Sequence, residues 1–224
     1  MDAAVLFDFG GTLDADGLAW KERFFHLLLD EGVDVSRERF DPIFYAGDDA
    51  LVGAIPSTLS FPDTVERLAA GVSGALRPGD RALPSRIAAR FLEAARAQIE
   101  RNRPLLERLG ERYRLGIVSN FYGNLATVCD NLKIRRFFSV IVDSTQVGFS
   151  KPDPRIFRHA VDELGLPPAA ATFVGDSLAR DMVGARAVGM RHVWLAADRV
   201  DQFRPCCPGD PVIRSIMELE ALLP

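Results

Sequence analysis

The sequence is poor in the residues that cross-link or metallate small proteins. It holds three cysteines, Cys129, Cys206 and Cys207, in 224 residues. An odd count with two adjacent forms no disulfide framework and points to a reducing, cytoplasmic setting. The three histidines, His26, His159 and His192, are scattered and lack ligand spacing. No apolar run approaches the roughly 18 residues that span a bilayer. The start, Met1-Asp2-Ala3-Ala4, lacks the basic segment of a secretory signal. Positive charge is not in excess either. The formal net charge of −4 argues against a nucleic-acid surface. Lysine is scarce: only Lys21, Lys133 and Lys151 occur, and arginine meets the rest of the basic demand. No internal repeat or low-complexity segment is present.

What remains is ordinary for a chain with a sizeable core, at 48% hydrophobic and 26% charged residues. The length suits one large domain, or one domain carrying an insert. Residues 3–7, Ala-Ala-Val-Leu-Phe, form a short apolar run that stops at Asp8-Phe9-Gly10-Gly11. Such a run predicts a strand buried on both faces, as in a parallel sheet, and the glycines end it in a loop. Runs of the same character occupy residues 113–119, 139–143, 172–176 and 192–195. Helical patterns from about 104, over 124–132 and over 154–164 alternate with them. That alternation predicts βαβ units. Between the first and second strands, the pattern is helical over 18–31, after a cap at Ser36, over 61–76 and over 84–99. The expected architecture is a doubly wound α/β core, residues 1–15 and 99–224, with an inserted helical domain at 16–98.

Four polar clusters lie at or just beyond the C-terminal ends of the expected core strands, the edge where open parallel sheets bind ligands. They are Asp8-Phe9-Gly10-Gly11-Thr12-Leu13, Ser119-Asn120, Lys151-Pro152 and Gly175-Asp176-Ser177-Leu178-Ala179-Arg180-Asp181. A carboxylate at the end of a buried strand is costly without a partner, so Asp8 either caps its turn or meets a ligand. Gly10 and Gly11 let the backbone approach a ligand closely. Ser119 offers a hydroxyl to a phosphate oxygen or caps the segment after Asn120. The ammonium of Lys151 suits charge neutralisation between a phosphate and a carboxylate. Asp176 and Asp181 bracket a loop that opens a helix. There Asp181 is also favourable as first-turn charge.

In this order and placement, the four clusters resemble the four motifs of the haloacid dehalogenase superfamily, most of whose members are phosphohydrolases. The resemblance covers the whole chain and implies a Rossmann-like core with an α-helical cap. It makes Asp8 the nucleophile that forms an aspartyl phosphate, with Lys151 as the second catalytic residue. It gives Gly11, Thr12, Ser119, Asn120 and Lys151 to the phosphate. It also implies Mg2+, held by Asp8, the carbonyl of Gly10 and Asp176, with Asp181 in support. The implied substrate is a small phosphorylated metabolite, with neither nucleic acid nor membrane as partner. Oligomeric state is left open.

One departure stands out. Phosphatases of this superfamily usually carry a second aspartate two residues after the nucleophile, which protonates the leaving group and later activates water. Here that position is Gly10. A positioned acid or base contributes about 10²–10⁴-fold, so hydrolysis of esters with poor leaving groups should suffer most. Asp14, Asp16 or a carboxylate of the insert stands as a candidate substitute, although Asp14 reads most simply as loop charge. The alternatives are a phosphate-binding or degenerate phosphatase with little turnover, and a 2-haloacid dehalogenase. Dehalogenases use no metal, which the Asp176 and Asp181 pair argues against. The phosphonate-cleaving branch needs a cap lysine; Lys21 reads instead as a solvated helix face. Phe24, Phe25, Phe40, Phe44 and Tyr45 have the spacing of cap core, with some free to line the cleft. Cys129 packs on a helix, and Cys206-Cys207, between prolines, reads as loop.

Overall fold

The computed structural model describes residues 2–197, 205 and 209–223, so the expectation for Cys206-Cys207 lies outside the described residues. Strand β1 spans Ala4–Phe7. Helices α1 (Trp20–Asp30), α2 (Arg37–Asp49), α3 (Phe61–Leu76) and α4 (Leu83–Arg112) follow before β2 (Arg114–Ser119). Then come α5 (Leu125–Asn131), β3 (Phe138–Asp143), α6 (Ser144–Val147), α7 (Pro154–Glu163) and β4 (Ala171–Gly175). Next come α8 (Val183–Ala187), β5 (Arg191–Leu195) and a two-residue β6 (Val212–Ile213) that the sequence pattern does not announce, before a closing 3-10 helix over Ile216–Ala221. The six strands form one sheet in the order β3-β2-β1-β4-β5-β6, and every pairing is parallel.

The continuous apolar character of β1 follows from burial on both faces. Val5 and Phe7 join one apolar cluster and Ala4 and Leu6 join another, as side chains that alternate across a sheet must. The order places β1 between β2 and β4, with connections leaving in opposite directions. The crevice at that reversal opens at the C-terminal ends of these three strands.

The helical stretch differs from its expected outline at one point. The pattern predicts a break near residues 99–104, but α4 is one helix of 30 residues with Pro104 inside it. Proline removes the hydrogen bond to the carbonyl four residues back. Here that carbonyl belongs to Glu100, and both residues are exposed, so the carbonyl is not buried without a partner. The apolar stripe runs unbroken from Ile87, Phe91 and Ile99 to Leu105 and Leu109 on the same helix, which holds it straight through. Residue 98, the expected end of the insert, therefore falls within a helix. Within the insert, Phe24, Phe25, Phe40 and Phe44 are buried as expected of cap core, whereas Tyr45 is exposed. Ser36 starts α2, although its side chain makes no capping hydrogen bond.

A buried polar knot ties the loop after β1 to this helical layer. Asp14 is not loop charge: it is 1% exposed and accepts from Gly11 N–H at 2.7 Å, Trp20 Nε1 at 2.8 Å and Arg23 Nη1 at 2.7 Å. Arg23 in turn donates to the carbonyl of Phe91 at 3.0 Å and stacks over the Phe91 ring. Burial pushes the Asp14 carboxyl above its ordinary pKa, with Arg23 opposing that shift. Asn102 of α4 donates to the carbonyl of Leu13 at 2.9 Å and closes the same seam. Removing one partner of a buried ion pair strands the other charge. Arg23→Met is therefore expected to cost about 3–5 kcal/mol in urea unfolding. The loss should shrink as pH falls through the raised folded pKa of Asp14, because folded Asp14 then takes up a proton the unfolded chain still lacks.

Candidate active site

The site is assembled from residues that directly follow neighbouring strands. Asp8 ends β1, Ser119 is the last residue of β2, and Asp176 follows β4. Asp8 is 7% exposed, and its Oδ1 accepts from Ser119 Oγ at 2.7 Å and from Lys151 Nζ at 2.6 Å. Its Oδ2 has no hydrogen-bond partner among the described residues. Lys151 is 5% exposed and lies between two carboxylates, with Asp181 Oδ1 at 2.7 Å on its other side. Burial works against the ammonium, but Asp181 and Asp8 outweigh it and hold the Lys151 pKa above the usual lysine value. Burial also pushes the Asp181 carboxyl up, against the pull of Lys151.

Two other residues fix this lysine. Asn120 Oδ1 accepts from the backbone N–H of Lys151 at 2.7 Å, and Asn120 Nδ2 donates to its carbonyl at 3.1 Å. The amide of Asn120 is thus spent on the Lys151 backbone, at a cis Lys151-Pro152 peptide. Asp181 is held by the N–H of Ser177 at 2.9 Å on its Oδ2. It reaches this position because Gly175 has no side chain: a Cβ there would lie 2.4 Å from Asp181 Oδ2. Trp194 Nε1 donates to the carbonyl of Asp176 at 3.1 Å and anchors the loop after β4.

Asp8, Asp176 and Asp181, all buried, each offer a carboxylate oxygen within 4.8 Å of one another. Three carboxylates against one ammonium leave the cluster short of positive charge, and an all-oxygen donor set suits a hard divalent cation. The residues present therefore fit a metal of that class. Asp181 Oδ1 is ion-paired with Lys151 and its Oδ2 accepts from Ser177 N–H. Gly11, at φ +90°, lets the loop pass this cluster, since a Cβ there would stand 3.0 Å from the Asp176 carboxyl.

A cavity of about 350 Å³ opens over the site. Asp8, Gly10, Ser119, Asn120, Lys151, Asp176 and Asp181 line it, so these sequence-derived candidates converge on one place. Two do not reach it. The N–H of Gly11 is committed to Asp14, and the fully buried Thr12 faces Asp176, with Oγ1 3.5 Å from its Oδ1. Asp143, at the end of β3 on the same sheet edge, is likewise outside. It accepts from the N–H groups of Gly123, Leu125 and Thr145 and serves only the backbone.

The space beside Gly10 is taken by Trp20. A Cβ at Gly10 would lie 3.2 Å from Trp20 Nε1, and that indole is fixed by Asp14. Neither candidate substitute for the missing aspartate in the first loop is available. Asp14 is enclosed in its knot, and Asp16 accepts from the N–H of Ile216 at 2.7 Å. Lys21 also departs from expectation. It lines the cavity rather than a solvated face and pairs with Asp41 at 2.7 Å. Burial lowers its pKa, but the bond to Asp41 more than offsets this, which keeps it an ammonium rather than an amine nucleophile. Sequence reasoning missed Trp20, Asp48 and Tyr122 on the cavity wall, and gave Arg180 no role although it lies in the fourth cluster. Tyr122 stands three residues after Ser119 and was within reach of notice. Trp20 and Asp48 carry no motif.

Comparison with known proteins agrees with this geometry. The family model for haloacid dehalogenase-like hydrolases matches residues 3–189. The haloacid dehalogenase-like hydrolase domain-containing protein 3 of Bos taurus is 35% identical over 111 residues, 50% of this chain and 41% of that protein. A phosphoserine phosphatase of Thermus thermophilus is 47% identical over 58 residues, 26% of this chain and 23% of that protein. The chain thus spans less than half the length of these relatives. Among solved structures, a HAD phosphatase from Thermococcus onnurineus superposes with a TM-score of 0.59 at 26% identity, covering 98% of this chain and 97% of that one. With the matched model extending over most of the sequence and the strand-end residues in place, the chain belongs to the haloacid dehalogenase-like hydrolase family.

Proposed function

We propose that this hydrolase cleaves a small phosphate monoester through an aspartyl phosphate on Asp8. The observation that carries this reading is the one-sided solvation of the Asp8 carboxylate. Ser119 and Lys151 both hold Oδ1, and Oδ2 is left open for attack on phosphorus. Lys151 and Ser119 would neutralise and orient the phosphoryl oxygens as charge develops on them. Asn120 would act through Lys151, whose backbone it clamps. Mg2+ fits the donor set of Asp8 and Asp176, with the Gly10 carbonyl as a third oxygen and Asp181 holding Lys151 in support. When bound, such a cation supplies charge compensation for the phosphate and the carboxylates that surround it. The insert, proposed as a cap over residues 16–98, would select the substrate and exclude water. Phosphatases among the relatives support the phosphate ester as substrate class.

The test is hydrolysis of p-nitrophenyl phosphate, whose leaving group needs little acid assistance. Turnover should require added Mg2+, vanish with a chelator, and fall by at least about 10³-fold in Asp8→Asn, since loss of the nucleophile removes the covalent route. Turnover no higher than that of Asp8→Asn would instead favour a phosphate-binding protein with little catalysis. An unfolding measurement addresses Gly10. Because Trp20 fills the adjacent space, Gly10→Asp alone should overpack the seam, with a stability loss of about 1–3 kcal/mol by thermal or urea unfolding.

A further inference from the structure

The proposed reaction needs a proton for the departing oxygen, and the first loop supplies no group to give it. Gly10 has no side chain, Asp14 is enclosed, and Asp16 is bonded to the chain near Ile216. Among the described residues, the carboxylates that line the cavity are Asp8, Asp48, Asp176 and Asp181. Asp8, Asp176 and Asp181 form the cluster that fits nucleophile and metal, and Asp48 lies outside it. No histidine or glutamate among the described residues lines the cavity.

Asp48 lies near the C-terminal end of α2, on the insert, and is only partly exposed. Its Oδ1 accepts from the phenol of Tyr122, a buried residue in the loop that follows Ser119 and also carries Asn120. That bond joins α2 to the loop after β2, and both residues line the cavity. Its Oδ2 makes no hydrogen bond among the described residues. We propose that Asp48, positioned by Tyr122, is the acid and base that replaces the aspartate absent at Gly10. This rests on the phosphomonoester reading above.

The steps balance without a further reactant. An oxygen of Asp8 bonds to phosphorus, the bond from phosphorus to the ester oxygen breaks, and that oxygen takes the proton of the Asp48 carboxyl. The oxygen of a water then bonds to the phosphorus of the aspartyl phosphate, the bond from phosphorus to the Asp8 oxygen breaks, and the water gives a proton to the Asp48 carboxylate. The products are an alcohol, inorganic phosphate and free Asp8. The surroundings suit a carboxyl that must carry a proton before it can give one up. Burial pushes the Asp48 pKa up, the hydrogen bond from Tyr122 opposes this, the neighbouring Asp49 adds to the rise, and Arg180 across the cavity opposes it.

Leaving-group dependence tests the assignment, with p-nitrophenyl phosphate and propyl phosphate as probes and kcat/KM reporting the first half-reaction. In Asp48→Asn, kcat/KM should fall about 10²-fold or more on propyl phosphate, and at least about tenfold less on p-nitrophenyl phosphate. Loss of the base in the second half-reaction should also produce a burst of nitrophenol, near one equivalent of enzyme, that the native protein lacks. Tyr122→Phe keeps the ring and should give a smaller loss with the same selectivity. Equal losses on both esters, or none, would overturn the role of Asp48 while leaving Asp8 as nucleophile. If the native protein exceeds Asp8→Asn on neither ester, both readings fall together.

Discussion

The ammonium of Lys151, set between Asp8 and Asp181, is the interaction on which the catalytic edge depends. Each of the two carboxylates is buried, and each would be costly without a compensating charge. The arrangement requires several features at once. Strand order brings Asp8, Ser119 and Asp176 side by side. Asn120 holds the backbone of Lys151, and the missing side chain of Gly175 leaves room for Asp181. The resulting cluster still has more negative than positive charge, and it therefore suits a divalent cation.

A second buried charge, Asp14, fixes the insert against the sheet. It orders the indole of Trp20 and the guanidinium of Arg23, and through Arg23 it reaches α4 at Phe91. The same knot determines what Gly10 can be. Gly10 has φ −77° and ψ 114°, a conformation open to any residue, so its backbone does not demand glycine. The constraint is Trp20, which occupies the place a side chain would take. An edge ring contact between Trp20 and Phe91 and another between Phe9 and Phe121 extend this packing on either side. The absence of the usual aspartate is thus tied to the way the insert is seated.

Much of the architecture was legible because its signals are local. A short apolar run ended by Asp8 and two glycines specifies a doubly buried strand, and four further runs of that kind specify a parallel sheet. Where the expectation failed, a longer-range effect decided. Pro104 looked like a boundary, but its solvent-facing position let the helix continue. Strand β6 is two residues long and too brief to leave a pattern. The resemblance gives Gly11 and Thr12 to the phosphate; the structure shows Gly11 N–H bonded to Asp14 and Thr12 facing Asp176.

By itself the sequence determined the order of the strands along the chain, the helical nature of the insert, and the residues Asp8, Ser119, Lys151, Asp176 and Asp181 as one candidate site. The first two conclusions follow from periodicity; the site follows from polar residues at or beyond the ends of apolar runs and from the resemblance of the four clusters to the family's motifs. Only the tertiary structure decided which oxygen of Asp8 is free, that Asn120 serves Lys151, and that Asp14 is buried rather than solvated. It also brought Asp48, Trp20 and Tyr122 to the cavity from separate segments. The reason is that hydrogen-bond partners and cavity walls are set by contacts between residues far apart in the chain, and no local pattern encodes those distances.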